Sequence, residues 1–152
     1  AWGYWHDGDD MNGDHRYNWV AAGDRIGLEM RNLVCDANAV RLGNSALRSD
    51  TLEITHVDYA NNIIAFKRWD LNGNIVLAIV NLGETNFENH SYGVNTGQAG
   101  YWDQILCTQD SRYGGWDGAG NAFHLPSTQP DGRIYLNVPK WSVVVMKWQG
   151  YN

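Results

Sequence analysis

Asn62-Ile63-Ile64-Ala65-Phe66-Lys67-Arg68-Trp69 and Ile75-Val76-Leu77-Ala78-Ile79-Val80-Asn81-Leu82, joined by Asp70-Leu71-Asn72-Gly73-Asn74, decide the class of fold. Both flanks are rich in β-branched and aromatic side chains, which suit a pleated, half-buried surface. The loop between them carries an Asn-Gly pair, the sequence that most readily supplies the positive φ of a tight turn. The three pieces read as an antiparallel hairpin. Upstream, Leu52 to Val57 alternates apolar and polar, and Tyr59 to Asn62 reads as a turn. Downstream, Tyr101 to Cys107, Ile134 to Val138 and Trp141 to Trp148 are further strand candidates, with Pro139-Lys140 between the last two. A Gly-rich loop fills Thr108 to about Asn121. Helical patterns do not alternate with these strands, which excludes βαβ units. Residues 51–152 therefore read as a mainly β domain, an antiparallel β-sandwich of roughly seven or eight short strands. Its core is expected at Ile64, Phe66, Leu77, Ile79, Val143 and Val145 or at their alternates.

Ahead of the strands the period changes. Asp24 can cap a helix, and Ile26, Met30, Leu33, Val34, Ala37, Val40 and Leu42 follow at spacings of three and four. This predicts one amphipathic helix over residues 25–42, stopped at Gly43-Asn44. Residues 1–23 form a Gly/Asp/aromatic loop that offers the apolar stripe no partner. Burying such side chains is worth about 1.5–3 kcal/mol each, so the stripe is expected under cover. Either it folds onto the sandwich with Trp2, Trp5 and Trp19, or it meets the same face of a second copy in a homodimer through helix 25–42.

The bulk numbers narrow the function. The chain has 152 residues, a net charge of -6 and 18% charged residues. That balance disfavours a nucleic-acid partner. No apolar run approaches the roughly 20 residues that span a bilayer, so a membrane partner is not expected. The chain opens on Ala1 without a Met or a signal-like core, and is expected to be a piece of something longer. Its two cysteines, Cys35 and Cys107, form no CxxC pair and are expected as buried, reduced thiols of a cytoplasmic protein.

Catalytic chemistry is hard to place. Glycoside cleavage needs two carboxylates about 5 to 9.5 Å apart. The chain has only Glu29, Glu53, Glu84 and Glu88, and its Asp residues sit mostly in turns, where Asp serves the backbone. No catalytic residue, metal site or cofactor is expected. The acidic loop Asp7 to Asp14 fails as a calcium-binding EF-hand: a register from Asp7 puts Met11 at position five, and one from Asp10 puts His15 where Gly is needed. The five histidines show no ligand spacing. Eight Trp and eight Tyr suit either a sandwich core or stacking on sugar rings.

Four segments, in order, resemble the α-amylase superfamily and are most similar to its 1,4-α-glucan branching enzymes. Asn44-Ser45-Ala46-Leu47-Arg48-Ser49 resembles the segment that ends the last helix of that family's (β/α)8 barrel. The hairpin quoted above looks like the opening of its C-terminal all-β domain. Asp110-Ser111-Arg112-Tyr113-Gly114-Gly115, with Gly118-Ala119-Gly120-Asn121 behind it, is similar to a branching-enzyme loop, and Asn137 to Val145 to the closing strand. The sequence departs from the branching-enzyme pattern at Thr108-Gln109-Asp110, where Asn-Ser-Asp is usual, and at Trp116, where a small residue is common. Asp14 to Trp19 looks like a stretch after the eighth barrel strand. The resemblance implies a non-catalytic C-terminal region of an α-glucan-processing enzyme. In it, residues 1–50 are a remnant of the barrel and residues 51–152 the sandwich. The partner would be the catalytic barrel of the same protein, whose Asp nucleophile, Glu acid/base and further Asp are expected upstream of Ala1. Trp2, Tyr4, Trp5, His6 and Trp116 are the candidates for contact with α-glucan. The alternatives are a free-standing carbohydrate-binding sandwich, which retention on starch or glycogen would reveal, and a scaffold domain unrelated to glucans.

Overall fold

In the computed structural model of the chain, which describes residues 22–121, 125–128 and 132–151, Asp70 builds the expected hairpin turn. Its carboxylate accepts from the backbone N–H of Asn72 and Asn74, both at 2.9 Å, and from Asn74 Nδ2 at 2.8 Å. Gly73 takes a φ of 81°, a conformation glycine adopts without steric cost. The turn sets the register of β2 (Ile63–Trp69) on β3 (Ile75–Asn81), from Ile63 opposite Asn81 to Trp69 opposite Ile75.

Six more strands follow the same antiparallel rule: β1 (Glu53–Asp58), β4 (Phe87–Asn95), β5 (Gly100–Cys107), β6 (Leu125–Thr128), β7 (Arg133–Val138) and β8 (Ser142–Gly150). The order across the sheet is β1-β2-β3-β8-β5-β6-β7-β4. The sandwich is thus one continuous sheet folded over on itself. Its inner faces bury Ile63, Leu77, Val94, Trp102, Ile134 and Met146, among others, in a single core.

The end strands β1 and β4 are not paired through their backbones, and side chains join them instead. Tyr92 Oη donates to Asp58 Oδ2 at 2.7 Å and lies 3.0 Å from His56 Nε2. Hydrogen bonds from Asn61 and Tyr92 hold the Asp58 carboxyl down at about 2. Burial pushes the Tyr92 hydroxyl up and the His56 imidazole down.

In two strands the core takes the alternates of the named residues. Ile63 and Ala65 of β2, and Val144 and Met146 of β8, face inward, in place of Ile64, Phe66, Val143 and Val145. Every residue of these runs is apolar, so alternation carries no sign. The outer face is covered as well, because Val76, Leu106 and Val145 are buried under α1 (Arg25–Gly43) and the short 3-10 turn after it (Ser45–Arg48). Strand β4 went unrecognised in the sequence because residues 88 to 91 are polar and exposed, and they separate Phe87 from Tyr92 and Val94, which reach the core. Asn89 and His90, at φ of 55° and 53°, form an irregularity in its pairing with β7.

Helix α1 begins where expected: the Asp24 carboxylate accepts from Gly27 N–H at 2.8 Å. Its end is capped by a side chain, as Asn44 Nδ2 donates to the Val40 carbonyl at 2.7 Å. The apolar stripe is only half covered. Leu33, Ala37 and Val40 pack on the sheet, whereas Ile26, Val34 and Leu42 remain 50%, 51% and 68% exposed. For Val34 and Leu42 the reason is angular: at about 100° per residue, they point away from the line through Leu33, Ala37 and Val40. Contact of the stripe with Trp2, Trp5 and Trp19 lies outside the described residues. Cys107 is buried, but Cys35 is exposed rather than buried, because it stands on the helix flank that the sheet does not cover.

Candidate functional site

The chain concentrates its polar machinery at the junction of helix, linker and hairpin. Arg68, on the outer face of β2, donates to the carbonyl oxygens of Leu47 at 2.8 Å, Thr51 at 3.2 Å and Ser49. Three alternate carbonyls of an extended linker suit the rigid, multi-donor fork of a guanidinium, which an ammonium cannot reproduce. Thr51 Oγ1 accepts from Trp69 N–H at 2.9 Å and donates to the Trp69 carbonyl. Ser45 Oγ donates to the Asp70 carboxylate. That bond and the one from Asn74 hold the Asp70 carboxyl at about 2. The linker is therefore stitched to the hairpin along its whole length.

The Gly-rich loop makes the second tie. Tyr113 Oη donates to Asp36 Oδ2 of the helix at 2.7 Å, and Arg112 pairs with the same carboxylate at 3.2 Å. Gly114, at a φ of 88°, leaves room for the Glu29 carboxylate, and a Cβ on Gly115 would collide with the Gln109 carbonyl. Asn121 then anchors the end of the loop, donating to Gln104 Oε1 at 2.9 Å and to the Asn137 carbonyl at 3.0 Å, and accepting from Asn137 N–H at 2.6 Å. Two segments separate in sequence, the linker and the loop, thus hold the helix on the sheet.

Neither displaced carboxylate is poised as a general acid. That role needs a raised pKa, and Asp58 and Asp70 are both lowered. Glu29 pairs with Arg25 at 2.7 Å and Glu53 with Lys67 at 3.0 Å. Among the described residues no group of three or more His, Cys, Asp or Glu side chains could hold a metal ion, and no helix is long and apolar enough to cross a membrane. The glucan-contact candidates Trp2, Tyr4, Trp5 and His6 lie outside the described residues. Trp116 is half-buried against the core, with its backbone N–H donating to Gln109 O at 3.1 Å.

The outward sides of α1 leave Leu28, Val34 and Leu42 exposed, the last two from the predicted stripe. One feature was not singled out in the sequence, a pair of grooves of about 470 and 250 Å³ that share Trp69 and Asp70. A Trp directly before an Asp-x-Asn-Gly turn was the available signal, since it puts a large ring at the end of a hairpin.

Residues 54–149 match a family model described as the alpha amylase C-terminal all-beta domain. The chain is 32% identical over 151 residues to the 1,4-alpha-glucan branching enzyme GlgB 2 of Xanthomonas euvesicatoria pv. vesicatoria (strain 85-10), covering 91% of this chain and 20% of that protein. It is 35% identical over 132 residues to GlgB 2 of Xanthomonas campestris pv. campestris (strain 8004), covering 81% and 17%. The chain spans about a fifth of the length of these curated relatives. Among solved structures, the catalytic module of the multi-modular glycogen-degrading pneumococcal virulence factor SpuA, in complex with an inhibitor, is similar at a TM-score of 0.53. The identity is 18%, over 88% of this chain and 20% of that one, and this likeness concerns the fold alone.

Proposed function

Because the chain belongs to the family of α-amylase C-terminal all-β domains, we propose that it is the non-catalytic C-terminal portion of an α-glucan-processing enzyme, a 1,4-α-glucan branching enzyme. In this reading residues 1–50 belong with a catalytic (β/α)8 barrel and residues 51–152 are the sandwich that braces it. The observation that carries the proposal is the two-sided helix. Leu33, Ala37 and Val40 fix α1 to the sandwich, while Leu28, Val34 and Leu42 stay exposed on its other sides. Apolar surface left open on an otherwise well-tied element marks a docking site. Trp2, Tyr4, Trp5, His6 and Trp116 are the glucan-contact candidates of the same reading. A cytoplasmic setting accords with the exposed free thiol of Cys35.

The test has two arms. Amylose incubated with the pure chain keeps its iodine colour, because this reading places the carboxylate pair on the barrel. Grafted in place of the matching fifth of the Xanthomonas relative, the chain supports formation of α-1,6 branch points, read by proton NMR. Leu28→Glu and Val34→Glu in the graft abolish branching while the chain alone keeps its thermal transition. Loss of iodine colour by the chain alone, prevented by Glu53→Gln, sinks the proposal, as does a soluble graft without branch points.

A further inference from the structure

We propose that Trp69 is the centre of a surface site for a short neutral oligosaccharide. The two grooves that meet at Trp69 and Asp70 run to either side of the turn of the β2–β3 hairpin. One leads past Asp50 toward Arg48 and Asn72, the other toward Lys67, Glu53 and Gln98. A volume of about 470 Å³ is within the range of small-molecule pockets, and the smaller groove extends it past the ring. The ligand that fits is elongated and lies across the surface.

The backbone that carries the ring is fixed before any ligand arrives. Thr51 grips the Trp69 backbone from both sides. Lys67 Nζ stands 5.6 Å from the centre of the indole and is itself held by Glu53 Oε2 at 3.0 Å and by the Gly97 carbonyl at 3.2 Å. A rigid aromatic platform loses little freedom on binding.

Charge decides the ligand class. Lys67 is matched by Glu53, and the Asp70 carboxylate is taken up by Ser45, Asn72 and Asn74. The exposed Arg48 and Asp50 are of opposite sign. Asp70 keeps its charge, so two cations, Arg48 and Lys67, face three carboxylates, Asp50, Glu53 and Asp70; an anion is disfavoured, while hydroxyl groups find donors and acceptors around an apolar ring. A pyranose offers both: a C–H face for the indole and equatorial hydroxyls for the Arg48, Asp50 and Asn72 side chains. The groove of about 440 Å³ beside the exposed Tyr59 differs in its lining, which is mainly Val57, Ile63, Ile64 and Leu82, with only Asp58 and Asn62 as polar side chains besides Tyr59. The choice of an α-1,4 linkage, and that alone, rests on the branching-enzyme reading above.

The experiment is a titration of the chain with maltoheptaose followed by 15N–1H NMR, with cellohexaose as the second arm. Maltoheptaose shifts the Trp69 indole N–H and the amides of Asn72 and Gln98 in a saturable way. Trp69→Leu, which keeps apolar bulk at the strand end, weakens binding by on the order of tenfold, and Tyr59→Ala leaves it unchanged. Should Trp69→Leu disturb the fold, Asn72→Ala at the exposed turn provides the same test, with a several-fold loss expected. No saturable shift, or shifts confined to Tyr59 or Trp116, overturns the site and leaves the graft result untouched. Equal binding of cellohexaose overturns the α-linked assignment. Saturable shifts at Trp69 beside a graft without branch points uphold the site and reject only the enzyme reading.

Discussion

Asn81 offers a sharp test of how the sandwich is closed at its base. The residue is fully buried at the end of β3. Its Nδ2 donates to the carbonyls of Thr85 and Pro139 at 3.0 Å, and its Oδ1 accepts from Gly83 N–H at 2.8 Å. Replacement by Ala does not cost the same at each partner. Thr85 is exposed, so water can replace the lost donor. Pro139 O keeps its bond from Ser142 Oγ at 2.6 Å. Gly83 N–H is buried and left unpaired, at about 1–3 kcal/mol, and the lost bond to Pro139 adds about 1 kcal/mol. The sum is about 3 kcal/mol, which in a domain of this size lowers the melting temperature by about 6–12 °C. Thermal melts by circular dichroism read this directly, with the exposed Asn86→Ala as control. Asn81→Asp separates the donor from the volume. Its carboxylate would face two carbonyls, so its folded pKa is raised above the unfolded value. That variant is then most stable below the unfolded pKa and loses stability as pH rises through the folded one. A drop of less than about 2 °C for Asn81→Ala, or an Asn81→Asp variant indifferent to pH, would refute this account of the buried amide.

Three further outcomes are expected. Because Asp58 and Asp70 are both held at about 2, the stability they contribute is present above about pH 4 and is lost as pH falls toward 2; Tyr92→Phe makes this acid loss shallower in urea melts at stepped pH. Leu33→Glu frees α1 and speeds amide hydrogen exchange over residues 25–43, whereas Leu28→Glu does not; light scattering gives a monomer for the parent chain, and a dimer abolished by Leu28→Glu would put a second copy on the helix instead. Gly115→Ala drives a methyl group into the Gln109 carbonyl and lowers stability by about 1–3 kcal/mol, read as a lower urea midpoint.

How much of this was legible depended on whether a residue's role is local. The β2–β3 hairpin and the start of α1 were readable because Asp70, Gly73 and Asp24 act on neighbours a few residues away. The inward face of β2 and β8 was not, since nothing in an unbroken apolar run says which side the helix will cover. Strand β4 is polar because it lies at the end of the sheet, where few of its side chains are needed in the core. The candidate surface was the least legible part. Arg68 reaches 17 to 21 residues back to the linker, and Tyr113 reaches 77 back to Asp36. Such distances leave no periodic trace. The N-terminal aromatic residues are favoured in the sequence by their implied place on a loop after a barrel strand, whereas Trp69 is marked there only by the turn that follows it, and the grooves beside it come with folding.

The place of β8 has a bearing on synthesis. It is the last described strand in the chain and lies between β3 and β5, joining one half of the sheet to the other. Strand β3 is complete at Asn81, yet its partner is not made until residues 142–150 emerge. At about 5–20 residues per second, the open edge of β3 waits roughly 4–14 s on the ribosome. Hairpins alone are marginal in water, so the nascent chain passes this interval with the apolar run Ile75 to Val80 unprotected. Helix α1 waits too, because its floor spans Val76 of β3, Val145 of β8 and Leu106 of β5. Helix α1, made before the strands it covers, therefore docks last, and β8 must be inserted before either half of the sheet, or the helix above it, can settle.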